Sequence, residues 1–213
     1  MTSAPARQIA LALAPSPARL SRRDFVVASS NERALETLLQ WRASTEPLLV
    51  IAGPAASGKT HLLHILAEDS DSEIAAVDGI SAGGDPLRLL SIIEHARETG
   101  ARLALAGRGN PREWAHGLRD LETRLAAAAR IDLVEPDEAL LQAVILKLLG
   151  DRQLRAGPGL AAYATARLPK TFAAASAFVA AIDAASIANK APIGLPLARS
   201  VIANLSEEPS ASY

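Results

Sequence analysis

The residues with the clearest chemical potential lie between positions 53 and 60 and read Gly-Pro-Ala-Ala-Ser-Gly-Lys-Thr. This segment fits the phosphate-binding pattern G-x-x-x-x-G-K-[ST]. Its glycines let backbone N–H groups curl around a phosphate, Lys59 supplies a positive charge, and Thr60 supplies a hydroxyl for Mg²⁺. An ordinary glycine turn before a helix is the alternative. The pattern predicts that a nucleotide's phosphates bind at Gly53, Pro54, Ala55, Ala56, Ser57, Gly58, Lys59, Thr60 and His61.

A second candidate metal ligand is Asp78, which ends the next apolar run along the chain. A carboxylate at that position can hold Mg²⁺ directly or through a water molecule, so Thr60 and Asp78 form the predicted magnesium site. A turn-capping aspartate is the alternative. Gly79 follows, so no second carboxylate is adjacent to orient an attacking water. We therefore expect that the chain is not an efficient nucleotide hydrolase by itself.

Composition excludes several other kinds of chemistry. The chain of 213 residues has no cysteine, which excludes disulfides, thiolate metal sites and cysteine nucleophiles. Its 22 basic and 23 acidic residues give a net charge of -1, which excludes binding of nucleic acid through a strongly basic surface. No uninterrupted apolar run reaches about 18 residues, so no membrane span is predicted and a cytoplasmic location is expected.

The elements that must position this loop alternate between strands and helices. Apolar runs predict buried strands at 47–52, 74–78, 102–107 and 131–134. Helical spacing predicts helices at 32–41, 58–68, 86–98 and 118–129. Alternation of this kind indicates an α/β fold with a parallel sheet flanked by helices.

The pattern changes after residue 135, where only helical spacing remains. Helices are predicted at 137–149, 157–167, 170–189 and 195–205. The chain is therefore predicted to begin with a flexible, proline-containing tail (1–20), which is followed by a nucleotide-binding α/β domain (21–135). A small all-helical domain (136–205) and a disordered end (206–213) follow.

Four blocks together resemble a known family: Phe25 to Asn31, Gly53 to His64, Asp78, and Leu121 to Leu125. They resemble the AAA+ module of the DnaA-type replication initiators and are more similar still to the DnaA-related regulators of the Hda type. The resemblance extends from about residue 8 to 203. It implies a P-loop AAA+ sheet followed by a helical lid, with ADP or ATP and Mg²⁺ as cofactors.

The resemblance also implies roles for individual residues. Val26, Val27 and Asn31 match the region that contacts adenine in the family. Arg124, in the block Thr-Arg-Leu, matches the family's arginine finger, which would reach in trans to the ATP held by a DnaA subunit. A solvated arginine is the alternative for Arg124, and Arg119 and Arg130 are competing candidates for the finger.

The tail contains Gln8-Ile9-Ala10-Leu11-Ala12-Leu13, which looks like the motif by which Hda-type regulators dock on the DNA polymerase sliding clamp. A glutamine would anchor by hydrogen bonds, while Ile9, Leu11 and Leu13 would fill an apolar cleft. A random apolar hexapeptide is the alternative. No dedicated DNA-binding domain is expected after the helical region.

Two positions depart from the family pattern. The polar sensor after the third strand is replaced by Gly-Arg-Gly-Asn at 107–110, where Arg108 or Asn110 could substitute. The family's lid arginine falls at Ala173, with Lys170 three residues before it, so one contact to a γ-phosphate is expected to be missing.

Three functional hypotheses follow from these observations. The first is a regulator of chromosomal replication initiation that binds adenine nucleotide and the sliding clamp and promotes hydrolysis of DnaA-bound ATP. The second is a stand-alone P-loop ATPase acting on a nucleic-acid complex. The third is a clamp-binding adaptor whose P-loop is structural. A homo-oligomer is compatible with the sequence.

Overall fold

The computed structural model describes residues 21–68 and 74–207. The tail 1–20 lies outside the described residues, and so does its predicted clamp-docking motif at Gln8, Ile9, Leu11 and Leu13. The end of the chain from residue 208 onward also lies outside them. The predictions made for these segments stay predictions.

Four parallel strands form one sheet in the described residues. They are β1 (Leu48–Ala52), β2 (Ile74–Ile80), β3 (Arg102–Gly107) and β4 (Ala129–Asp132), arranged in the order β2-β3-β1-β4. The continuous apolar runs of β1 and β3 occupy the centre, where both faces of the sheet are covered, whereas β2 forms a half-exposed edge. The predicted parallel sheet is confirmed.

Helices cover both faces of this sheet. On one face lie α1 (Glu32–Ala43) and α2 (Lys59–Glu68), whose core is built from buried Leu38, Trp41 and Leu62. On the other face lie α3 (Pro86–Thr99), α4 (Pro111–Trp114) and α5 (Arg119–Ala127), with buried side chains that include Ile93, Trp114 and Leu121. A short 3-10 turn at Arg22–Asp24 precedes α1.

The remaining described residues are helical. They form α6 (Glu138–Asp151), α7 (Leu160–Thr165), α8 (Phe172–Asn189) and α9 (Leu195–Glu207). These four helices share a core of their own, built around Leu141, Phe178, Val179, Ile182 and Ala198. A separate core is what a domain division near residue 136 requires, and the division itself stays a prediction.

Helix α8 is long and apolar enough, by length and composition alone, to cross a membrane. Its apolar residues Phe178, Val179 and Ile182 are fully buried among the neighbouring helices. Helix α8 packs mainly against α6 and α9. These three residues therefore belong to the core of the helical region, whereas Ile187, near the end of α8, is 70% exposed.

Three local features differ from the sequence-based expectation. Strand β4 begins at Ala129, where a helix was predicted, because pairing of residues 129–132 with β1 outweighs the helical propensity of the alanines. Strand β2 continues past Asp78 to Ile80, and its pairing with β3 shifts between Val77 and Ile80. Helix α4, which was not predicted, begins after Asn110 with proline as its first residue.

Candidate nucleotide-binding site

The loop from Gly53 to Gly58 joins β1 to α2 and is held by the strands beside it. The N–H of Gly53 donates to the carbonyl of Gly107, at the end of β3, over 3.3 Å. A Cβ atom at Gly53 would lie 2.7 Å from the carbonyl oxygen of Leu133, which follows β4. Only glycine fits this close approach, so the start of the loop is fixed between two strand ends.

The curl of the loop depends on left-handed backbone at two positions. Gly58 has a φ of 98°, which favours glycine, and Ala56 has a φ of 53°, which is costly for a residue with a Cβ. These angles turn the chain back on itself immediately before α2 begins at Lys59. The loop therefore has the curled form expected of a phosphate-binding loop that ends at a helix N-terminus.

Lys59 directs its ammonium group into this curl. Its Nζ donates to the carbonyls of Gly53 and Pro54, at 3.1 and 2.5 Å, and to Ser57 Oγ at 3.3 Å. The side chain is buried, and this burial lowers the pKa of Lys59, with the charge of Asp78 acting in the opposite direction. An enclosed cation of this kind fits an anionic phosphate group, which would offset its lost hydration.

Thr60 and Asp78 are brought together as predicted for a magnesium site. Thr60 Oγ1 donates to Asp78 Oδ2 over 2.5 Å, and the other carboxylate oxygen accepts from the N–H of Gly79 over 2.7 Å. No group of three or more His, Cys, Asp or Glu side chains within residues 21–68 and 74–207 could hold a metal. A hydroxyl and one carboxylate fit Mg²⁺, which typically combines few protein ligands with water and phosphate oxygens.

The backbone explains why no second carboxylate stands beside Asp78. Gly79 has a φ of 80° and lies within the shift in pairing between β2 and β3. A side chain there would meet no atom within 4 Å, but the left-handed backbone disfavours any residue other than glycine. The predicted metal ligands Thr60 and Asp78 therefore have no carboxylate next to Asp78 in the sequence that could orient water.

The predicted adenine side of the site is a narrow cleft between the loop and the helical region. Phe25, Asn31 and Gly58 line it, together with Val134 and Phe172, which sequence reasoning missed. Phe172 is the first residue of α8, more than 100 positions from the loop in sequence, so no local pattern could assign it to the site. The cleft therefore draws its walls from four separate parts of the chain.

The three predicted adenine contacts differ in their placement. Asn31 is buried and reaches the cleft, but its side chain bridges the N–H of Ala28 and the carbonyl of Val26, each at 2.8 Å. Val26 and Val27 do not line the cleft, and Val27 is 49% exposed. Asn31 therefore shapes the segment that borders the cleft, while Phe25 supplies an apolar wall.

His61 faces the 21–31 segment. Its Nε2 lies 2.9 Å from the carbonyl oxygen of Ser21, to which it donates, and its ring meets Phe25 edge to face at a centroid distance of 5.1 Å. Burial lowers the pKa of His61, so the ring is neutral near pH 7. His61 thereby ties the 21–31 segment to the helix that carries the loop.

Arg124 lies at the opposite end of the sheet from the loop. Its Nη2 pairs with Glu94 on α3, its Nε lies 3.3 Å from Asp120 Oδ1, and the side chain is 24% exposed. It lines a groove of about 300 Å³ whose walls include Leu48 and Ala129, the first residues of β1 and β4. Since the loop follows the carboxyl end of β1, Arg124 is separated from its own loop by the length of the sheet.

The two departures from the family pattern also have defined positions. Asn110 caps α4, because its Oδ1 accepts from the N–H of Arg112 over 3.1 Å. Arg108 is exposed, and its positive charge acts on Lys59. Ala173 is exposed near the start of α8, and Lys170 pairs with Glu138 over 3.2 Å.

Comparison with solved structures identifies the fold. Domain III of the replication initiation protein DnaA from Thermotoga maritima superposes with a TM-score of 0.77 at 14% identity, over 91% of this chain and 100% of that one. The Holliday junction branch migration motor RuvB from Thermotoga maritima superposes with a TM-score of 0.64 at 16% identity, over 87% of this chain and 72% of that one.

A replication initiator DnaA bound to AMPPCP and single-stranded DNA also superposes, with a TM-score of 0.64 at 15% identity, over 76% of this chain and 63% of that one. No protein-family model matches the chain, and no curated protein does. At these identities the likeness concerns the fold alone. The chain has the AAA+ P-loop fold, with a parallel sheet flanked by helices.

Proposed function

We propose that this chain is a regulator of chromosomal replication initiation that binds ADP or ATP with Mg²⁺ at its own loop and promotes hydrolysis of ATP bound to DnaA. The residues at the loop fit the phosphate and metal chemistry that this function needs: the curled backbone, the enclosed Lys59 ammonium, and the Thr60–Asp78 pair. The DnaA fold likeness and the DnaA-type sequence blocks support the choice of partner.

One observation carries the trans role of Arg124. The guanidinium lies beside the amino ends of β1 and β4, whereas the loop follows the carboxyl end of β1. Five residues of strand, at about 3.3 Å each, separate the two ends. Arg124 therefore cannot reach a nucleotide held by its own loop, and the nucleotide available to it is one held by a neighbouring molecule.

The ion pairs of Arg124 are compatible with such a role. Glu94 pairs with Nη2, and Asp120 lies close to both Nε and Nη2. A guanidinium held from two sides keeps its plane fixed while one edge can meet a phosphate. An arginine supplied in trans accelerates phosphoryl transfer by about 10³–10⁵-fold.

The direct experiment measures hydrolysis of ATP preloaded on DnaA after addition of this chain and sliding clamp on DNA. We expect acceleration by the unaltered chain and loss of at least about 100-fold of that acceleration with Arg124→Ala. Arg119→Ala and Arg130→Ala test the competing candidates, since both residues are exposed and each substitution removes one positive charge, as Arg124→Ala does. Equal loss in all three variants, or acceleration that survives Arg124→Ala, would reject the finger.

The clamp is the second proposed partner, reached through Gln8, Ile9, Leu11 and Leu13. We expect that deletion of residues 1–14 abolishes clamp binding and clamp-dependent acceleration but leaves nucleotide binding intact. Replacing Ile9 and Leu11 by alanine should reproduce the deletion, whereas replacing Ala10 and Ala12 by serine should not. Clamp binding that survives the deletion would reject this assignment.

The stand-alone ATPase is the second candidate, favoured by the Thr60–Asp78 pair and by the fold likeness to a branch migration motor. Gly79 disfavours it, because no carboxylate stands beside Asp78 to orient water. The two functions differ in a simple assay. Rapid turnover of ATP by the chain alone would favour the ATPase, whereas turnover that appears only on DnaA would favour the regulator.

A further inference from the structure

Strand β2 forms one edge of the sheet, and its outer side offers backbone groups for pairing. Among residues 21–68 and 74–207 it pairs with β3 alone. An edge strand presents a row of N–H and C=O groups that another extended segment can bind. With seven residues, β2 is also the longest of the four strands described.

The helices of the α/β region leave both faces of β2 partly uncovered. Ala75 and Ala76 are successive residues, so their side chains point to opposite faces of the sheet, and both are exposed. By contrast, every residue of β1 and β3 except the first of each is buried. The run from Ile74 to Val77 includes no charged residue and no proline, the residues that commonly block pairing at a sheet edge. A further strand beside β2 would therefore gain apolar contacts on both faces.

The segment 8–13 of the same chain has the sequence pattern of such a strand. In an extended conformation its bulky side chains fall on one side and its small ones on the other, with Ile9, Leu11 and Leu13 opposite Ala10 and Ala12. Two apolar sides suit an edge whose two faces are both partly uncovered. The segment lies outside the described residues, and its six residues compare with the seven of β2.

The described chain begins close enough to β2 for this segment to reach it. The carbonyl of Ser21 accepts from His61 over 2.9 Å, and the N–H of Arg22 donates to Glu68 over 2.8 Å. His61 and Glu68 both lie on α2, which packs against β2. The seven residues 14–20 can span up to about 23 Å, whereas one helix is about 10–12 Å wide. Because both partners belong to one chain, the effective concentration of the segment at β2 is on the order of millimolar.

We propose that residues 8–13 add to β2 as a fifth strand of the sheet in their own chain. This pairing goes beyond the proposed function and does not require nucleotide. It has one consequence for that function, because Ile9, Leu11 and Leu13 are also the side chains proposed to bind the sliding clamp. The segment cannot occupy both places, so the clamp would have to displace it from β2.

The test is disulfide cross-linking in the full chain without clamp or nucleotide. The chain has no cysteine, so an introduced pair reports a single contact. Four double variants combine a cysteine at Ala10 or Ala12 with a cysteine at Ala75 or Ala76. Neighbouring strands lie about 4.8 Å apart, within the span of a disulfide, so we expect a bridge within one chain in at least one variant. A given tail cysteine should react with only one of the two β2 positions, because these point to opposite faces.

The matched control places the second cysteine at Ala203, which is exposed on α9. This variant should stay reduced under the same mild oxidation. Absence of a bridge in all four variants, or equal bridging to Ala203, would overturn the proposal. Bridges that form only between two molecules would overturn it as well, because they would assign the edge of β2 to a second copy of the chain.

Hydrogen exchange gives an independent readout without any substitution in β2. We expect the amides of β2 that face away from β3 to exchange at least about tenfold faster when residues 1–14 are deleted, because their pairing partner is lost. Exchange in β3 should be unchanged and shows that the shortened chain is folded. Equal exchange of β2 in both chains would overturn the proposal, whereas failure of the chain to bind clamp or nucleotide would count only against the proposed function.

Discussion

The two ends of the sheet are built by different means. At the carboxyl ends of the strands, main-chain contacts hold the loop: Gly53 bonds to β3 and leaves no room for a Cβ beside Leu133. At the amino ends, Arg124 is held by side-chain ion pairs to Glu94 and Asp120. The first end is rigid and enclosed, whereas the second is a half-open groove.

This difference indicates how the two ends can act. A backbone-built loop with an enclosed Lys59 fits the proposed binding of a nucleotide within the same chain. A guanidinium in a groove fits the proposed contact with a group on another molecule. If the two ends of the sheet act independently, substitutions at one end should leave the function of the other end intact.

The largest effect is expected at Lys59. Lys59→Ala removes the buried ammonium from the loop, and we expect nucleotide affinity to fall by at least about 100-fold, because charge-assisted contacts to phosphate are lost. Calorimetry with ADP measures the change. Lys190→Ala, at the far end of α8, is the control and should bind normally. Undiminished ADP binding by Lys59→Ala would show that the Lys59 ammonium does not hold the phosphates.

A smaller effect than that of Lys59→Ala is expected from steric crowding at Gly53, the first glycine of the loop. Gly53→Ala places a Cβ at 2.7 Å from a backbone oxygen of Leu133, so the loop or β4 must shift. We expect a loss of about 1–3 kcal/mol in the free energy of unfolding, together with weaker nucleotide binding. Gly83→Ala, where a Cβ would meet nothing within 4 Å, should be neutral. Equal tolerance of both substitutions in urea unfolding would contradict the close approach.

Substitutions at the end of the sheet that holds Arg124 should have a smaller effect on stability. Glu94→Gln removes a charge that pairs with both Arg97 and Arg124, and we expect a loss of about 0.5–1 kcal/mol in stability that shrinks in high salt. ADP affinity should not change. Arg97→Ala, which removes only the more exposed partner, should cost less. A change in ADP affinity comparable to that of Lys59→Ala would show that the two ends are not independent.

An effect similar in size to that of Glu94→Gln is expected at the contact between the 21–31 segment and α6. A hydrogen bond from Ser21, and then one from Lys147 at 2.9 Å, lower the pKa of Asp24 from 3.8 to about 2. Since the folded state holds the lower pKa, the stabilisation is present above pH 3.8 and is lost as the pH falls toward 2. Asp24→Asn should therefore cost about 1 kcal/mol at neutral pH and much less near pH 2.

The control for that prediction is Asp151→Asn. Asp151 also pairs with Lys147, at 2.7 Å, but its side chain is 50% exposed, so its removal should cost less than removal of Asp24. Urea unfolding at pH 7 and at acidic pH measures both variants. A difference between wild type and Asp24→Asn that stays constant over this pH range would reject the ion pair with α6.

The features that the sequence predicted well are those that depend on residues close together in the chain. The loop motif and the buried strands depend on local spacing, so Gly53 to Thr60, their neighbouring strand and Asp78 were all recognisable. The fold class followed from alternating strands and helices and is confirmed. The roles assigned to individual site residues stay predictions.

The features that the sequence did not predict depend on contacts between residues far apart in the chain. Phe172 and Val134 reach the cleft only through tertiary packing, and the pairing of Arg124 with Glu94 joins two helices 30 positions apart. Helix α4 is too short for periodicity to reveal. Asn31 matched a nucleotide contact by resemblance, but its hydrogen bonds to the backbone of residues 26 and 28 appear only in three dimensions.

The central claim is that the loop from Gly53 to Thr60 binds an adenine nucleotide through main-chain N–H groups and the Lys59 ammonium. A calorimetric titration of the folded chain with ADP and with ATP in the presence of Mg²⁺ tests it most directly. We expect saturable binding of one nucleotide per chain. The absence of binding for both nucleotides, with protein shown to be folded by circular dichroism, would contradict it.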